Sequence, residues 1–189
     1  MTKEPNVRRR DAGATKAAIL EAAHALFARG GYENVGVREI ASKAGVDAAL
    51  VSRYFGSKEE LFAEVLRSGE RGDDVIGSEL DGLTDRVADL MLDPEEKKSL
   101  DDILIILNSC ASPIAGRAVR DSINERFHCP FASVIGGDHA MVRAQLLGAM
   151  LLGISISQQT SGDFSDDPEV RARLKQRIAD ILALAIKPL

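Results

Sequence analysis

A chain of 189 residues with 45% hydrophobic residues is long enough for one domain, or two small ones, with a real core. Its formal charge of −5, from 24 Lys+Arg against 29 Asp+Glu, excludes a general nucleic-acid coat, and 2 cysteines exclude a disulfide scaffold. The charge is uneven: residues 1–58 hold 10 Lys+Arg against 6 Asp+Glu, net +4, which leaves net −9 on the remainder, so only the first third suits a polyanion.

Residues 1–11 are polar, carry Arg8, Arg9 and Arg10, and read as a flexible basic arm, either a solvated tail or a contact to phosphates or the minor groove. No apolar run follows this start, so no signal peptide is expected and the default location is the cytoplasm. Ile19, Ala23, Leu26 and Phe27 recur at helical spacing before a Gly30-Gly31-Tyr32 break. Val37 to Ala44 predicts a second helix with Val37, Ile40, Ala41 and Ala44 on its inner face, ended by Gly45 in a positive-φ conformation. Asp47 can cap a third helix to about Phe55; Gly56 breaks it, and Ser57 with Glu60 has the spacing of a capping box that starts a fourth. Helix, Gly-containing turn, helix is the helix-turn-helix pattern, whose second helix can enter a DNA major groove.

These residues carry a family resemblance. The Ile40-Ala41 pair, Gly45-Val46 in the turn, Tyr54-Phe55 closing the recognition helix, and Ser57-Lys58-Glu59 with Leu61-Phe62 opening the next resemble the DNA-binding domain of the TetR (tetracycline-repressor) family. The motif match covers roughly residues 14–66, and the remainder resembles the family in length and helical pattern. The resemblance implies an all-α fold of about nine helices: the arm at 1–11, a three-helix helix-turn-helix domain at 12–57, and a helical ligand-binding and dimerisation domain at 58–189.

Within the recognition helix, Val46, Val51 and Phe55 read as inward anchors, leaving Ala48, Ala49, Ser52 and Arg53 toward the groove. Arg38 suits a phosphate or a base edge, while Tyr54 and Lys58 suit phosphates, Lys58 at a helix N-terminus whose free amides also attract anions. These positions match the family's contact positions. The chain departs from the family pattern at Gly36 and Leu50, where Thr is frequent, and at Ser52, where Tyr is frequent, so fewer side-chain hydrogen bonds are on offer.

Beyond the fourth helix, which Gly69, Gly72 and Gly77 weaken toward a hinge, every segment reads as helical. Leu83, Val87, Leu90 and Met91 mark one helix stopped near Asp93-Pro94, and Ser99 to Ser109 another. Pro113 starts a helix carrying Ile114, Val119, Ile123 and Phe127 that is expected to end before Pro130. Asp138 is expected to cap a long apolar helix to about Gln159, and Asp167-Pro168-Glu169 starts the last, which ends at Lys187-Pro188. The apolar stretch Ala144 to Ile156 is interrupted by Gln145 and Ser155 and is shorter than the ~20 residues of a membrane span, so no membrane segment is expected.

Ala144, Gly148 and Ser155 form a small-residue stripe with Leu151 between them, and Leu174, Ile178 and Ile181 lie on the apolar stripe of the last helix. The pattern alone fits an intradomain core as well as a dimer surface. The resemblance implies a homodimer through these two helices, reading a palindromic operator in double-stranded DNA. It also implies a small-molecule effector, with Leu90, Ile103, Leu107, Asn108, Ile114 and Phe127 as candidate lining. No Trp and 2 Tyr favour an aliphatic effector over a flat aromatic one. The function implied is a ligand-responsive repressor; an activator of the same fold, and a helical partner-binding protein without DNA activity, are the alternatives. The 3 His and 2 Cys show no metal-ligand spacing, and neither a cofactor nor catalysis is expected, His128-Cys129 as a metal or redox sensor being the remaining option.

Overall fold

The computed structural model describes residues 6–68, 79–92, 100–162 and 164–189. The expected hinge glycines and the Asp93-Pro94 stop lie outside the described residues. Among the described residues every regular element is a helix and there is no strand: α1 Asn6–Asn34, α2 Val37–Ala44, α3 Ala48–Phe55, α4 Lys58–Ser68, α5 Leu83–Leu92, α6 Leu100–Ser109, α7 Ala115–Ile123, a π-helical turn Asn124–His128, α8 Cys129–Ile135, α9 Ala140–Ser161 and α10 Pro168–Ala185. Residues 6–11, expected as part of the arm, belong to α1, and residues 1–5 lie outside the described residues.

The chain divides into two compact units, Met1–Gly69 with Asp101–Ser122, and Glu70–Leu100 with Ile123–Leu189. In the first unit Ile19, Phe27, Ile40, Leu61, Phe62 and Ile105 are buried at 1% exposure or less. Phe27, Tyr32 and Phe62 form an aromatic cluster, with Phe62 edge-on to both rings at centroid distances of 5.0 and 5.1 Å. Truncating Phe27 would cost about 3–5 kcal/mol by the usual cavity argument. Gly31 interrupts α1 at φ 68°, and a Cβ there would run into the Asn108 carbonyl, so glycine is required both by the turn and by the approach of α6.

A polar ladder runs along that approach. His24 Nε2–H donates to Asp102 Oδ1 at 2.7 Å, Asn108 Nδ2 donates to the Ala28 carbonyl at 2.8 Å, and the Tyr32 N–H donates to Ser109 Oγ at 3.0 Å. The Ser112 hydroxyl donates to Glu33 and accepts the Ala115 N–H at 3.0 Å, so it also caps α7. Both strings of residues rise together, so α6 runs parallel to the second half of α1.

In the second unit, Leu83, Val87 and Ala88 of α5, Phe131 and Ile135 of α8, Ala144 and Leu147 of α9, and Ile178, Ala179 and Leu182 of α10 make one core cluster. Asp167 starts α10 as expected, its carboxylate accepting the Glu169 N–H at 2.8 Å and the Val170 N–H at 3.4 Å.

Two expectations are corrected here. The helix from Pro113 does not end before Pro130: the chain passes through the π-helical turn, and Pro130 sits in the first turn of α8, which follows without a break in helical backbone. Asp138 does not cap α9, whose N-cap position is His139 in a left-handed conformation without a side-chain cap. The cause is Arg143, buried at 3% exposure, which donates to the Gly136, Asp138 and Ile186 carbonyls and so sets the loop before α9. By length and composition Ala140–Gln158 is apolar enough to cross a membrane, with mean hydropathy 1.5, because the helix extends past the apolar stretch read from sequence; 17% of that window is buried within the chain.

Candidate nucleic-acid interface

The turn between α2 and α3 is three residues, Gly45 to Asp47. Gly45 takes the left-handed conformation at φ 68°, its N–H donating to the Ser42 carbonyl at 3.2 Å while the Val46 N–H donates to the Ala41 carbonyl at 3.0 Å. Those two bonds make a Schellman stop, so the turn is set locally and does not depend on packing elsewhere. Asp47 then opens α3, its carboxylate accepting the Ala49 N–H at 2.7 Å. Val51 and Phe55 are buried, as is Ile40 on α2, and Val46 is half-buried, so the inward face of α3 is the one read from its apolar residues.

The opposite face is free for a ligand. Ala49, Ser52 and Arg53 are exposed at i, i+3 and i+4 spacing, and Arg38 in the first turn of α2 is exposed as well. Ala48, Leu50, Tyr54 and Lys58 are half-buried. Gly36 holds the N-cap position of α2 without a side-chain bond, as its departure from the family pattern implies. The Arg53 guanidinium and Ser52 hydroxyl therefore supply the polar groups on the outward face of α3, beside methyl contacts from the two alanines.

The start of α4 is more self-contained than expected. Ser57 and Glu60 form the reciprocal capping box, the Ser57 N–H donating to Glu60 Oε2 at 2.8 Å and the Glu60 N–H donating to Ser57 Oγ at 3.1 Å. Glu59 is held well ionised, first by its own backbone amide and then by the Tyr32 hydroxyl, which donates to Glu59 Oε1 at 2.9 Å. Burial and that carboxylate push the Tyr32 hydroxyl well above its ordinary pKa, so it remains a donor. With these amides committed and Glu59 and Glu60 in the first turn, an anion here must be met by the Lys58 side chain rather than by bare N–H groups. Lys58 Nζ lies 4.1 Å from the Tyr32 ring centroid.

Sequence reasoning missed two supports. Lys16 on α1 sits 5.3 Å over the Phe55 ring and 3.8 Å from Glu64, linking α1 to the end of α3 and to the middle of α4. The second support is Tyr32, whose place beside Phe27 depends on the kink at Gly31 and so has no helical spacing to announce it.

The other expected site residues are distributed differently. Ile103, Leu107, Asn108 and Ile114 lie in the first unit and Leu90 and Phe127 in the second. Leu107 and Ile114 are exposed, at 37% and 56%, and the Asn108 amide is engaged with Ala28. A surface recess in the second unit is lined by Leu92, Gln158, Phe164, Ser165, Arg171 and Leu174, none of them among the expected lining. Of the expected dimer residues, Ala144 and Ile178 are buried inside the chain, Gly148 packs on the His128 ring, and Ser155 Oγ donates to Met91 Sδ at 3.7 Å. Leu151 and Leu174 pack on the core cluster, and Ile181 is exposed at 47%. The small-residue stripe thus serves an intrachain contact. Among the described residues no cluster of three or more His, Cys, Asp or Glu could hold a metal ion; Cys110 and Cys129 are exposed free thiols.

Residues 19–65 match the family model described as bacterial regulatory proteins, tetR family, and residues 81–163 match the tetracyclin repressor-like C-terminal domain. The chain is 49% identical over 57 residues to the HTH-type transcriptional repressor SCO4008 of Streptomyces coelicolor, a match covering 30% of each chain. It is 45% identical over 51 residues to the HTH-type transcriptional regulator BetI of Agrobacterium fabrum, covering 27% of this chain and 25% of BetI. The chain thus matches less than a third of the length of these relatives. The whole fold is similar to NalD, the secondary repressor of the MexAB-OprM multidrug efflux pump in Pseudomonas aeruginosa, with a TM-score of 0.69 at 20% identity over 93% of this chain and 96% of NalD. It is also similar to the TetR-family regulator SCO0857 of Streptomyces coelicolor, with a TM-score of 0.56 at 24% identity over 98% and 99% of the two chains.

Proposed function

Since the chain belongs to the TetR family of bacterial regulatory proteins, we propose that it is a DNA-binding transcriptional regulator, a ligand-responsive repressor that binds a palindromic operator as a homodimer. The observation that carries this reading is the locally determined turn from Gly45 to Asp47, which holds α3 with Val51 and Phe55 inward and Ala49, Ser52 and Arg53 outward. A short helix with one buried and one exposed face, set by its own caps, suits insertion into a major groove. Arg38, Tyr54 and Lys58 serve as phosphate contacts that fix register, while Ala48, Ala49, Ser52 and Arg53 face the bases.

A second copy of the chain is the partner that the apolar surface of α9 and α10 suits. Val142 and Leu146 on α9 are 51% and 44% exposed, and Ile181 and Leu184 on α10 are 47% and 68% exposed. These residues replace Ala144 and Ile178 as the center of the proposed contact, because the latter are used inside the chain. A two-fold dimer would set two recognition helices a whole number of DNA turns apart. The dimer also accounts for an apolar α9 without a membrane, and the chain acts in the cytoplasm. The effector is a small aliphatic molecule whose binding lowers operator affinity; by reciprocity it binds the operator complex less tightly than the free protein. No step of this function requires a cofactor or catalysis.

A mobility-shift titration on duplexes from the promoter region of the chain's own or a neighbouring gene tests this function. Retardation that survives scrambled competitor DNA is expected; competitor that abolishes it at equal mass would remove sequence-specific regulation.

A further inference from the structure

Tyr32 is fixed at three points: its backbone N–H donates to the fully buried Ser109 hydroxyl at 3.0 Å, its ring packs against Phe27 and Phe62, and its hydroxyl donates to Glu59 at 2.9 Å. Lys58 Nζ lies over this ring at 4.1 Å from its centroid. An ammonium held by the negative face of a ring presents that face with one side only, and its remaining N–H groups stay available to a phosphate. Glu59, the adjacent carboxylate, is engaged by its own amide and by the Tyr32 hydroxyl, partners that compete with Lys58 for it.

We propose that Tyr32 is a positioning residue for DNA binding: its ring holds the Lys58 ammonium in place, so that the phosphate meets a side chain whose freedom is already spent. The proposal rests on the reading of Lys58 as a phosphate contact. A free lysine loses rotamer entropy when it docks on a phosphate, whereas a ring-held one has lost most of it beforehand. The ring is therefore worth about three- to tenfold in DNA affinity without any contact of its own to DNA. Because phosphate is read, the gain is independent of sequence.

Full-length protein and a mixed-sequence duplex suffice for the test, since the contact does not depend on an operator. The expected results are that Tyr32→Leu loses about three- to tenfold, that Tyr32→Phe, which keeps the ring but releases Glu59 to compete for Lys58, loses less than Tyr32→Leu, and that the same Tyr32→Leu change costs nothing further when Lys58 is already Ala. A purely structural role for Tyr32 would lower affinity equally in both backgrounds, and that result overturns the proposal. Should Tyr32→Leu not fold, the unsubstituted protein decides it by NMR: the Lys58 ε-methylene protons are shifted upfield by the ring and stay so when the duplex is added, whereas loss of that shift on binding overturns the proposal. The underlying DNA contact fails separately, by an unchanged salt dependence in Lys58→Ala, and the proposal falls with it.

Discussion

His24 on α1 and Asp102 on α6 form a hydrogen-bonded ion pair at 2.7 Å, with 28% and 22% of their side chains exposed. The Asp102 hydrogen bond is the largest influence on His24 and, with the charges of Asp102 and Asp101, outweighs burial, so the imidazole titrates above its ordinary 6.5. A histidine whose folded pKa is raised contributes stability that is fully present below the unfolded value and is lost as pH rises through the folded one.

Thermal stability should therefore contain a component, on the order of 1 kcal/mol or less, that fades as pH rises from about 6.5 through the raised His24 value. His24→Gln and Asp102→Asn should each remove it. His128 has the opposite sign: burial lowers its pKa, so its contribution is present above the ordinary 6.5 and is lost as pH falls through the folded value. Melting curves of His24→Gln and His128→Gln across pH 5–8 should diverge from the parent in opposite directions.

Gly31 and Gly45 have the same φ of 68° but different surroundings. A Cβ at Gly31 meets the Asn108 carbonyl, whereas nothing lies within 4 Å of one at Gly45. Gly45→Ala should cost only the left-handed backbone term of about 1–2 kcal/mol, and Gly31→Ala clearly more, because its ψ of 176° lies in a region open essentially to glycine alone and α6 must also shift. Denaturant unfolding of the two variants measures the difference; equal losses would mean that neither the Gly31 backbone nor α6 penalises a Cβ there.

How far the fold was legible from sequence follows from the range of each signal. Gly45, Asp47 and the Ser57–Glu60 box act within a few residues, and the structure realises all three. Pro130 and Asp138 misled because their local meaning is overridden from afar, Pro130 by the π-helical turn that precedes it and Asp138 by Arg143 reaching also to the Ile186 carbonyl. The stripe at Ala144, Gly148 and Ser155 was visible, but periodicity cannot tell which apolar side of α9 meets its own chain. The Tyr32–Lys58 contact joins residues in different helices, so no spacing rule announced it.

The revised dimer surface separates two kinds of substitution. Leu146→Glu with Ile181→Glu should give a folded monomer, since both side chains are exposed in the single chain. Ala144→Leu should instead destabilise the protomer by about 1–3 kcal/mol, by overpacking a site with 0% exposure. Light scattering together with circular dichroism distinguishes the outcomes. A dimer that survives both glutamates would place the contact elsewhere.

Base and phosphate contacts should also part company. Arg53→Ala or Ser52→Ala should relax sequence preference, with about 1–3 kcal/mol of discrimination lost for a bidentate arginine contact. Lys58→Ala should weaken all sequences alike and reduce the salt dependence by about one phosphate. Binding isotherms on matched and scrambled duplexes at several salt concentrations measure both.

The most direct measurement of the central claim is sequencing of the DNA that the protein retains from its own genome, with Arg53→Ala as the parallel sample. A palindrome whose half-sites are spaced for two recognition helices on one face of the duplex should be enriched, and that enrichment weakened in the variant. Recovery of genomic DNA with no enriched sequence, equal in both samples, would contradict it.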